Sequence, residues 1–522
     1  MKTERITNLS QHGVLADLPT QELPPNAWTG GQNVAVNDGS VTNAPGHVEV
    51  FDPPTVAPYW CFPMQTETAY FWLYAGSAKI YATDGTTHAN LTRQSLGADD
   101  DYSMNAQHLW NGGVLSGVLI ANNGVDEPQA WVTPSLSQDM QNLSDVTDWD
   151  ATHTCKVMRP YNNYLIALDI TKGSTRYPYK VKWNAPSDPG TINGSWDETD
   201  ATVDAGENDL IKGGGFVVDG LALRDSFIIY RERSTWVMNY VGGTFVFDFE
   251  QLFESTGILA PNCAVEYKGL HYVLTQGDVI AHDGHSPKSI IDQKNRRFLF
   301  NAIDSTNYKK CFVAVNQAKE EIWICYPETG STYVNKALVF RINDGSWMPR
   351  DLPDVSHIES GVIDETGNTT WASDTEAWSS DTTTWNQSFY NPSDIELLMC
   401  GVSDTKLYKG ASGNTDNGTN KSCYIERTGL QLGAYQGVSH VHAILPKIQA
   451  SNGTSISVQI GGEMQPGSGV TWSPSYTFTV GVDNIIPCNV SGRLTAVKFS
   501  SNADISWRLQ SYEIKYVEGG IY

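Results

Sequence analysis

One local form recurs along the chain and limits what it can fold into: a short apolar, alternating run that stops at Asn-Gly or Asp-Gly. VAVNDG ends at Gly39, IYATDG at Gly85, LIANNG at Gly124, VIAHDG at Gly284 and FRINDG at Gly345, with a weaker LYKG at Gly410. Alternation with period two marks half-buried strands, and the terminal dipeptide supplies the positive φ that a tight reversal needs. The separations of these glycines, about 40 to 65 residues, suit a four-stranded meander with loop insertions. The gap from Gly124 to Gly284 leaves room for about three more such units. Small meanders cannot bury both faces alone, so a series of them predicts a β-propeller, with six to eight blades fitting the length. The same turns would also join ordinary hairpins in unrelated sandwiches.

Other alternating segments agree, among them YFWLYAGSAKIYATDG (70–85), NYLIALDITKG (163–173), SFIIYRERSTWVMNYVGG (226–243) and CFVAVNQAKEEIWICY (311–326). Helical periodicity is scarce, and 286–303 is its best candidate. From about residue 420 the strands lengthen, as in SISVQIGGEM and RLTAVKFSSNADISWRLQSYEIKYVEGG, and read as a C-terminal β-sandwich. Residues 1–25 are polar and without periodicity, the pattern of an extended N-terminal arm. The expected fold is therefore all-β: arm 1–25, β-propeller 26–419 and β-sandwich 420–522.

The 522 residues include 58 Asp and Glu against 34 Lys and Arg, a formal charge of −24. Such a balance disfavours tight nucleic-acid binding, which draws on Lys and Arg at phosphates. It suits solubility, or a surface past which DNA slides without adhering. No uninterrupted apolar run approaches the ~18–20 residues of a membrane helix, and residues 1–20 lack the apolar core of a secretory signal. The eight Cys form no C-x-x-C pair. Cys311 and Cys325 bracket a strand–turn–strand pattern and can face each other, although free thiols are expected in a chain without an export signal.

Three irregular stretches interrupt the strands. Residues 138–153 carry four Asp and no Lys or Arg, and 184–210 carry seven acids, Asp188, Asp197, Glu198, Asp200, Asp204, Glu207 and Asp209, again without a base. Residues 364–387 place Trp371, Trp378 and Trp385 seven apart. Long loops in a compact domain tend to be functional or mobile. The tryptophans suit carbohydrate or partner contact, or simply pin a loop to a blade. Ser379, Asp381 and Trp385 approach the Ser-x-Asp-x-Gly-x-x-Trp turn of sialidase-like propellers, without its Gly and with Trp one residue early.

Chemistry-bearing patterns are thin. The acidic loop 197–209 does not match the calcium-loop spacing and reads as a solvated acidic loop, and His282 with His285, or His440 with His442, lacks a third zinc ligand. Glycoside hydrolysis needs two carboxylates ~5–10 Å apart, which no sequence this acidic can single out. Nucleophile elbows, phosphate loops and metalloprotease motifs do not occur. Neither cofactor nor catalytic residue is expected.

Three segments taken together resemble the tail nozzle (tail tubular protein B-type, packaged-DNA stabilisation) proteins of short-tailed bacteriophages. LPPNAWTGGQNVAVNDGSVTNAPG (23–46) is similar to their beginning. FIIYRERSTWVMNYVGG followed by ESTGILAPNCAVEYKGLHYVLTQGDVIAHDG is similar to their middle blades. GRLTAVKFSSNADISWRLQSYEIKYVEGG (492–520) is similar to their final strands, with Trp507 and Tyr512 in the sandwich core. The resemblance implies a non-enzymatic virion protein, assembled in the host cytoplasm, that forms a ring of copies, usually six. Its implied partners are the head–tail adaptor, tail fibres or spikes, and viral double-stranded DNA passing through without sequence-specific binding. On that reading loop 184–210 is a candidate channel gate. The alternative is a propeller-type glycosidase or a carbohydrate-binding adhesin acting on host surface polysaccharide. The acidic inserts and the Trp371/Trp378/Trp385 repeat match nothing in the family's pattern.

Overall fold

Strands cover most of the chain in the computed structural model, which describes residues 1–363 and 395–521 apart from 68, 106, 108, 244 and 434–436. The stretch holding Trp371, Trp378 and Trp385 lies outside the described residues.

Five antiparallel sheets of four strands follow one another in sequence: 60–90, 111–142, 153–209, 217–253 and 264–289. A seven-stranded sheet completes the ring as two blades that share one strand, Trp347–Val362. Residues 347–351 pair with 336–340 as the last strand of blade 6. After a register shift between Val355 and Ile358, residues 358–362 pair with 395–399 as the first strand of blade 7. The innermost strands touch in cyclic order, from Trp60–Gln65 through Trp347–Val362 and back, which closes a seven-bladed propeller. Its last blade takes its outermost strand, His47–Glu49, from far upstream: Tyr408, Lys409 and Gly410 pair with Glu49, Val48 and His47. Ring closure thus joins residues about 360 apart in sequence and secures the first blade to the last.

The repeated turns do what their chemistry predicts. Gly85, Gly284 and Gly345 follow the third strands of blades 1, 5 and 6, and Gly124 the second strand of blade 2, with φ of 103°, 91°, 69° and 73°. A side chain at those angles would be strained.

The sandwich differs from the expected boundaries. The hairpin Val34–Asn37/Ser40–Asn43, read as the first strand pair of the propeller, lies in the sandwich: Val41 and Thr42 pair with Leu509 and Arg508. The arm is not free either. Lys2–Ile6 pairs with Tyr512–Tyr516, and Gly30–Gln32 pairs with Tyr424–Glu426 in the facing sheet. Both sheets of the sandwich are therefore incomplete without residues 1–43, and the propeller, 47–410, is inserted between two parts of the sandwich sequence. The physical reason is burial. Ile6, Leu9, Trp28, Val34, Val36 and Val41 are at most 2% exposed and join Val458, Ile460, Phe499, Trp507, Tyr512 and Ile514 in one core. That core runs on into Trp323, Val339, Val355 and Tyr408 of blades 6 and 7, so sandwich and propeller share an interior. The helix expected within 286–303 shrinks to Arg296–Ala302, whose N-terminus receives Asp17 of the arm: Asp17 accepts hydrogen bonds from the backbone N–H groups of Arg297 (2.6 Å) and Phe298 (3.0 Å).

Candidate functional site

The acidic loop connects the third strand of blade 3, Thr175–Trp183, to its outermost strand, Gly206–Asp209. It leaves from the outer half of blade 3, but residues 184–190 turn back over the inner strands, where the backbone N–H groups of Ser187 and Gly190 donate to Asn163 O and Ser116 O, in the turns after the innermost strands of blades 3 and 2. The loop is not simply solvated. Trp196, 2% exposed, packs edge-on against Trp149 with ring centroids 4.7 Å apart, and its backbone N–H donates to Asp148 at 2.5 Å. Asp148 belongs to the other acidic stretch, so the two inserts fold onto each other.

Bases missing from the loop come from the neighbouring strands. Lys180 and Lys182, two residues apart, point to the same face, where they meet the paired residues Asp209 and Glu207. Lys180 donates to Glu207 at 2.5 Å, Lys172 bridges Glu207 (2.7 Å) and Glu198 (3.1 Å), and Lys182 donates to Glu198. Burial alone would raise the Glu198 carboxyl, but the hydrogen bonds from Lys182 and Lys172 outweigh it and hold it at about 2. Glu207 is lowered in the same way by Lys172 and Lys180 against its own desolvation. Asp197 and Asp200 accept from the backbone and hydroxyl of Thr199 and Thr202, closing short turns at the surface. Asp188 and Asp204 are exposed, and their carboxylates make no hydrogen bond among the described residues. The seven acids thus split into a charge-balanced ladder, Glu198, Glu207 and Asp209 with three lysines, and an outward fringe, Asp188, Asp197, Asp200 and Asp204.

The same flank carries apolar surface. Of the exposed large hydrophobic side chains among the described residues, Tyr177, Tyr179, Ile211 and Phe216 gather at one end of blades 3 and 4, and Tyr240, Val241 and Phe245 at the other. Ile211 is 80% exposed and Phe245 79%. Trp183, Phe247 and Phe249, in ring contact, lie between the two groups. Concentrated apolar exposure of this kind marks an interaction surface.

Two polar networks escaped the sequence reading. Arg159, on the innermost strand of blade 3, donates to Asp219 of blade 4 (3.2 and 3.1 Å), to Asn262 ahead of blade 5 (2.8 Å) and to Gly112 O of blade 2 (3.2 Å). One guanidinium therefore ties four consecutive blades across the axis. Between blades 4 and 5, Tyr230 bridges His271 Nδ1 (2.8 Å) and His282 Nε2 (2.6 Å) in full burial. His271 Nε2 donates to Ala222 O, so its Nδ1 accepts the Tyr230 proton. His282 Nε2–H then donates to the Tyr230 oxygen, while its Nδ1 accepts from Gly284 N–H. Burial pushes both imidazoles down to about 4. His282 is therefore a core residue and does not pair with exposed His285. His440 reaches Ser491 Oγ at 2.6 Å, and His442 points outward. Cys311 and Cys325 are free, buried thiols. Phe312, not Cys311, stands opposite Cys325. No group of three His, Cys, Asp or Glu fit to hold a metal occurs among the described residues, and no helix among them is long and apolar enough to cross a membrane.

No protein-family model matches the chain, and no curated protein does. Among solved structures it is similar to PorZ, a bacterial surface component of the type-IX secretion system of Porphyromonas gingivalis, at 10% identity and a TM-score of 0.33, covering 77% of this chain and 44% of that one. The extracellular domain of BT4673 from B. thetaiotaomicron matches at 10% identity and a TM-score of 0.41, over 92% of this chain and 65% of that one. That of BT3049 from the same organism matches at 9% and 0.37, over 82% and 47%. The chain spans less than two thirds of each, and likeness at this level carries no functional argument.

Proposed function

We propose that the chain is a structural protein of a short-tailed phage virion, and that copies of it form the tail nozzle below the head–tail adaptor. The observation that carries this reading is the meeting of the two terminal segments that resemble nozzle proteins. The hairpin 34–43 and the final strand 507–521 pair in one sheet, although more than 460 residues separate them. A resemblance made of unrelated strand fragments has no reason to be joined that way. The shared core of sandwich and propeller gives a rigid body of the kind that packs into rings. The apolar flank of blades 3 and 4 is then the contact with a neighbouring copy, head to tail, and the fringe Asp188, Asp197, Asp200 and Asp204 is an anionic surface beside it. Facing the lumen of such a ring, that fringe would repel the phosphates of passing double-stranded DNA and act as the gate. Fibres or spikes would dock on the outer rim.

The test is assembly. Purified protein is mixed with head–tail adaptor rings and imaged in negative stain. Rings extended by a further tier are expected for the wild type, and their loss for Phe245→Asp and Ile211→Asp, exposed positions at which the fold itself tolerates charge. A chain that never joins the adaptor refutes the reading, and an assembled ring with loop 184–210 on its outside refutes the gate. The rival carbohydrate reading rests on Trp371, Trp378 and Trp385, and no observation on the described residues favours it.

A further inference from the structure

Blade 4 ends differently from the other blades. Its outermost strand, Phe247–Phe253, has 7 residues, whereas 88–90, 141–142, 206–209, 288–289 and 47–49, which close blades 1, 2, 3, 5 and 7, are all shorter. The last strand of blade 6 is covered by the arm: Val14 N–H donates to Trp347 O (2.9 Å) and Asn33 N–H to Pro349 O (3.1 Å). In blade 4, Phe247 to Gln251 pair residue for residue with Tyr240 to Trp236, and a register shift at Leu252 ends the regular stretch. No strand pairs with the opposite edge among the described residues. A regular open edge presents a row of backbone N–H and C=O groups to any extended chain, and short or covered outer strands are the common protection against that. Blade 4 has neither protection.

The side chains along this edge select what can pair with it. Residues two apart share a face, so Asp248 and Glu250 lie on one face. Phe247 and Phe249 lie on the other, in ring contact with Trp183. Asp248, Glu250 and the following Glu254 are exposed, and their carboxylates make no hydrogen bond or ion pair among the described residues. Antiparallel pairing with the same edge of a second copy, centred on Phe249, would set Asp248 against Glu250 twice. Like charges directly opposite each other are destabilising. A strand with Lys or Arg at alternate positions meets the same two carboxylates with opposite charge, and its intervening apolar residues meet Phe249.

We infer that the outer edge of blade 4 is a site of strand addition, and that its occupant is an extended segment of a partner protein with Lys or Arg at alternate positions and apolar residues between them. Main-chain hydrogen bonds along 247–251 supply affinity, and the Asp248/Glu250 face selects the basic residues. The apolar flank assigned to a neighbouring copy lies beside this edge. Strand addition extends the sheet outward from a single copy and so does not depend on ring assembly.

Two synthetic peptides of equal length and composition test this on the full chain at low concentration. One alternates Lys and Val, and the other carries the same residues in two blocks. The alternating peptide should bind saturably and slow hydrogen exchange at the backbone amides of 247–251. The block peptide, equal in charge, should bind about tenfold more weakly. Asp248→Lys/Glu250→Lys, at exposed positions that leave the fold intact, should weaken the alternating peptide about tenfold and accept an alternating Glu–Val peptide in its place. The inference is overturned by the absence of saturable binding, by equal binding of the two Lys–Val peptides, or by protection elsewhere than blade 4. Protection of 247–251 that rises with protein concentration without peptide overturns it too, by making a second copy the occupant.

Discussion

Acid should loosen the seam between blades 4 and 5 before it titrates the carboxylates. His271 and His282, 0% and 1% exposed, have folded values of about 4 against an ordinary 6.5. Both are lowered, so between those limits the unfolded chain binds protons that the folded chain refuses, and stability falls as pH falls. The full shift corresponds to about 3 kcal/mol for each imidazole, of which about 2 kcal/mol is lost by pH 5. The two rings share Tyr230 and would repel each other once charged, so the losses couple. A combined drop of roughly 3–5 kcal/mol between pH 7 and pH 5 is expected, a large part of ordinary domain stability. Carboxylates held low, such as Glu198 at about 2, contribute stability that disappears only in more acidic solution. The assay is urea denaturation at closely spaced pH values between 7 and 4.5, on the wild type and on His271→Gln/His282→Gln. The double variant starts less stable, because Tyr230 loses its partners, but its stability should fall much less across that window, the remaining slope coming from His12, His88 and His153, which burial also lowers. Equal pH slopes for the two proteins would refute the reasoning.

Three further outcomes follow from the same structure. Arg159→Met leaves Asp219, whose side chain is 5% exposed, charged and without its guanidinium, and should cost about 3–5 kcal/mol in chemical denaturation. Gly112→Ala would place a Cβ 2.0 Å from Ile120 O on the adjacent strand, so a loss of about 1–3 kcal/mol or more is expected by the same measurement. Trp196→Ala removes the anchor of the acidic loop, and limited proteolysis should then cut within 197–205 at protease levels that leave the wild type intact.

Much of the propeller is legible because its signal is local. Gly85, Gly124, Gly284 and Gly345 sit in turns that demand positive φ, and the flanking alternation marks strands wherever they end up. Membership of a sheet is not local. The hairpin ending VAVNDG has the same pattern as the blade motifs, yet its partner is Leu509–Arg508, and no property of residues 34–43 names that partner. The blade shared through Trp347–Val362 is hidden for a related reason: one continuous strand changes partners at a bulge. At the acidic loop part of the answer was readable. Lys180 and Lys182 alternate on one face of a strand directly before the acidic insert, which predicts a charge ladder better than a solvated loop. Arg159, Asp219 and Asn262 come from three blades, and only ring closure brings them together.

The interleaving of sandwich and propeller gives the most demanding prediction. If the sandwich were the C-terminal unit suggested by its strand texture, residues 420–522 would fold alone. The structure instead draws four of its strands, together with Trp28, from residues 1–43. Removing that segment takes away Ile6, Leu9, Trp28, Val34, Val36 and Val41, each at most 2% exposed. At roughly 1.5–3 kcal/mol per buried side chain, the loss is of order 10 kcal/mol, comparable to the whole stability of a domain this size. It also uncovers an edge of the 507–521 strand and an edge of the 423–430 strand, both open to aggregation. Residues 420–522 expressed alone should therefore lack the dispersed amide spectrum of a folded sandwich. Adding a peptide of residues 1–46 in trans should restore that spectrum, because the missing strands return both the backbone pairing and the side chains that complete the core with Phe499, Tyr512 and Ile514. The same peptide with Trp28→Ala should bind much more weakly, having lost the indole that fills the core and donates to Leu9 O at 2.9 Å. A sandwich that folds without the peptide would mean that the N-terminal strands only decorate a self-sufficient domain. The shared core would then not be what makes propeller and sandwich one body.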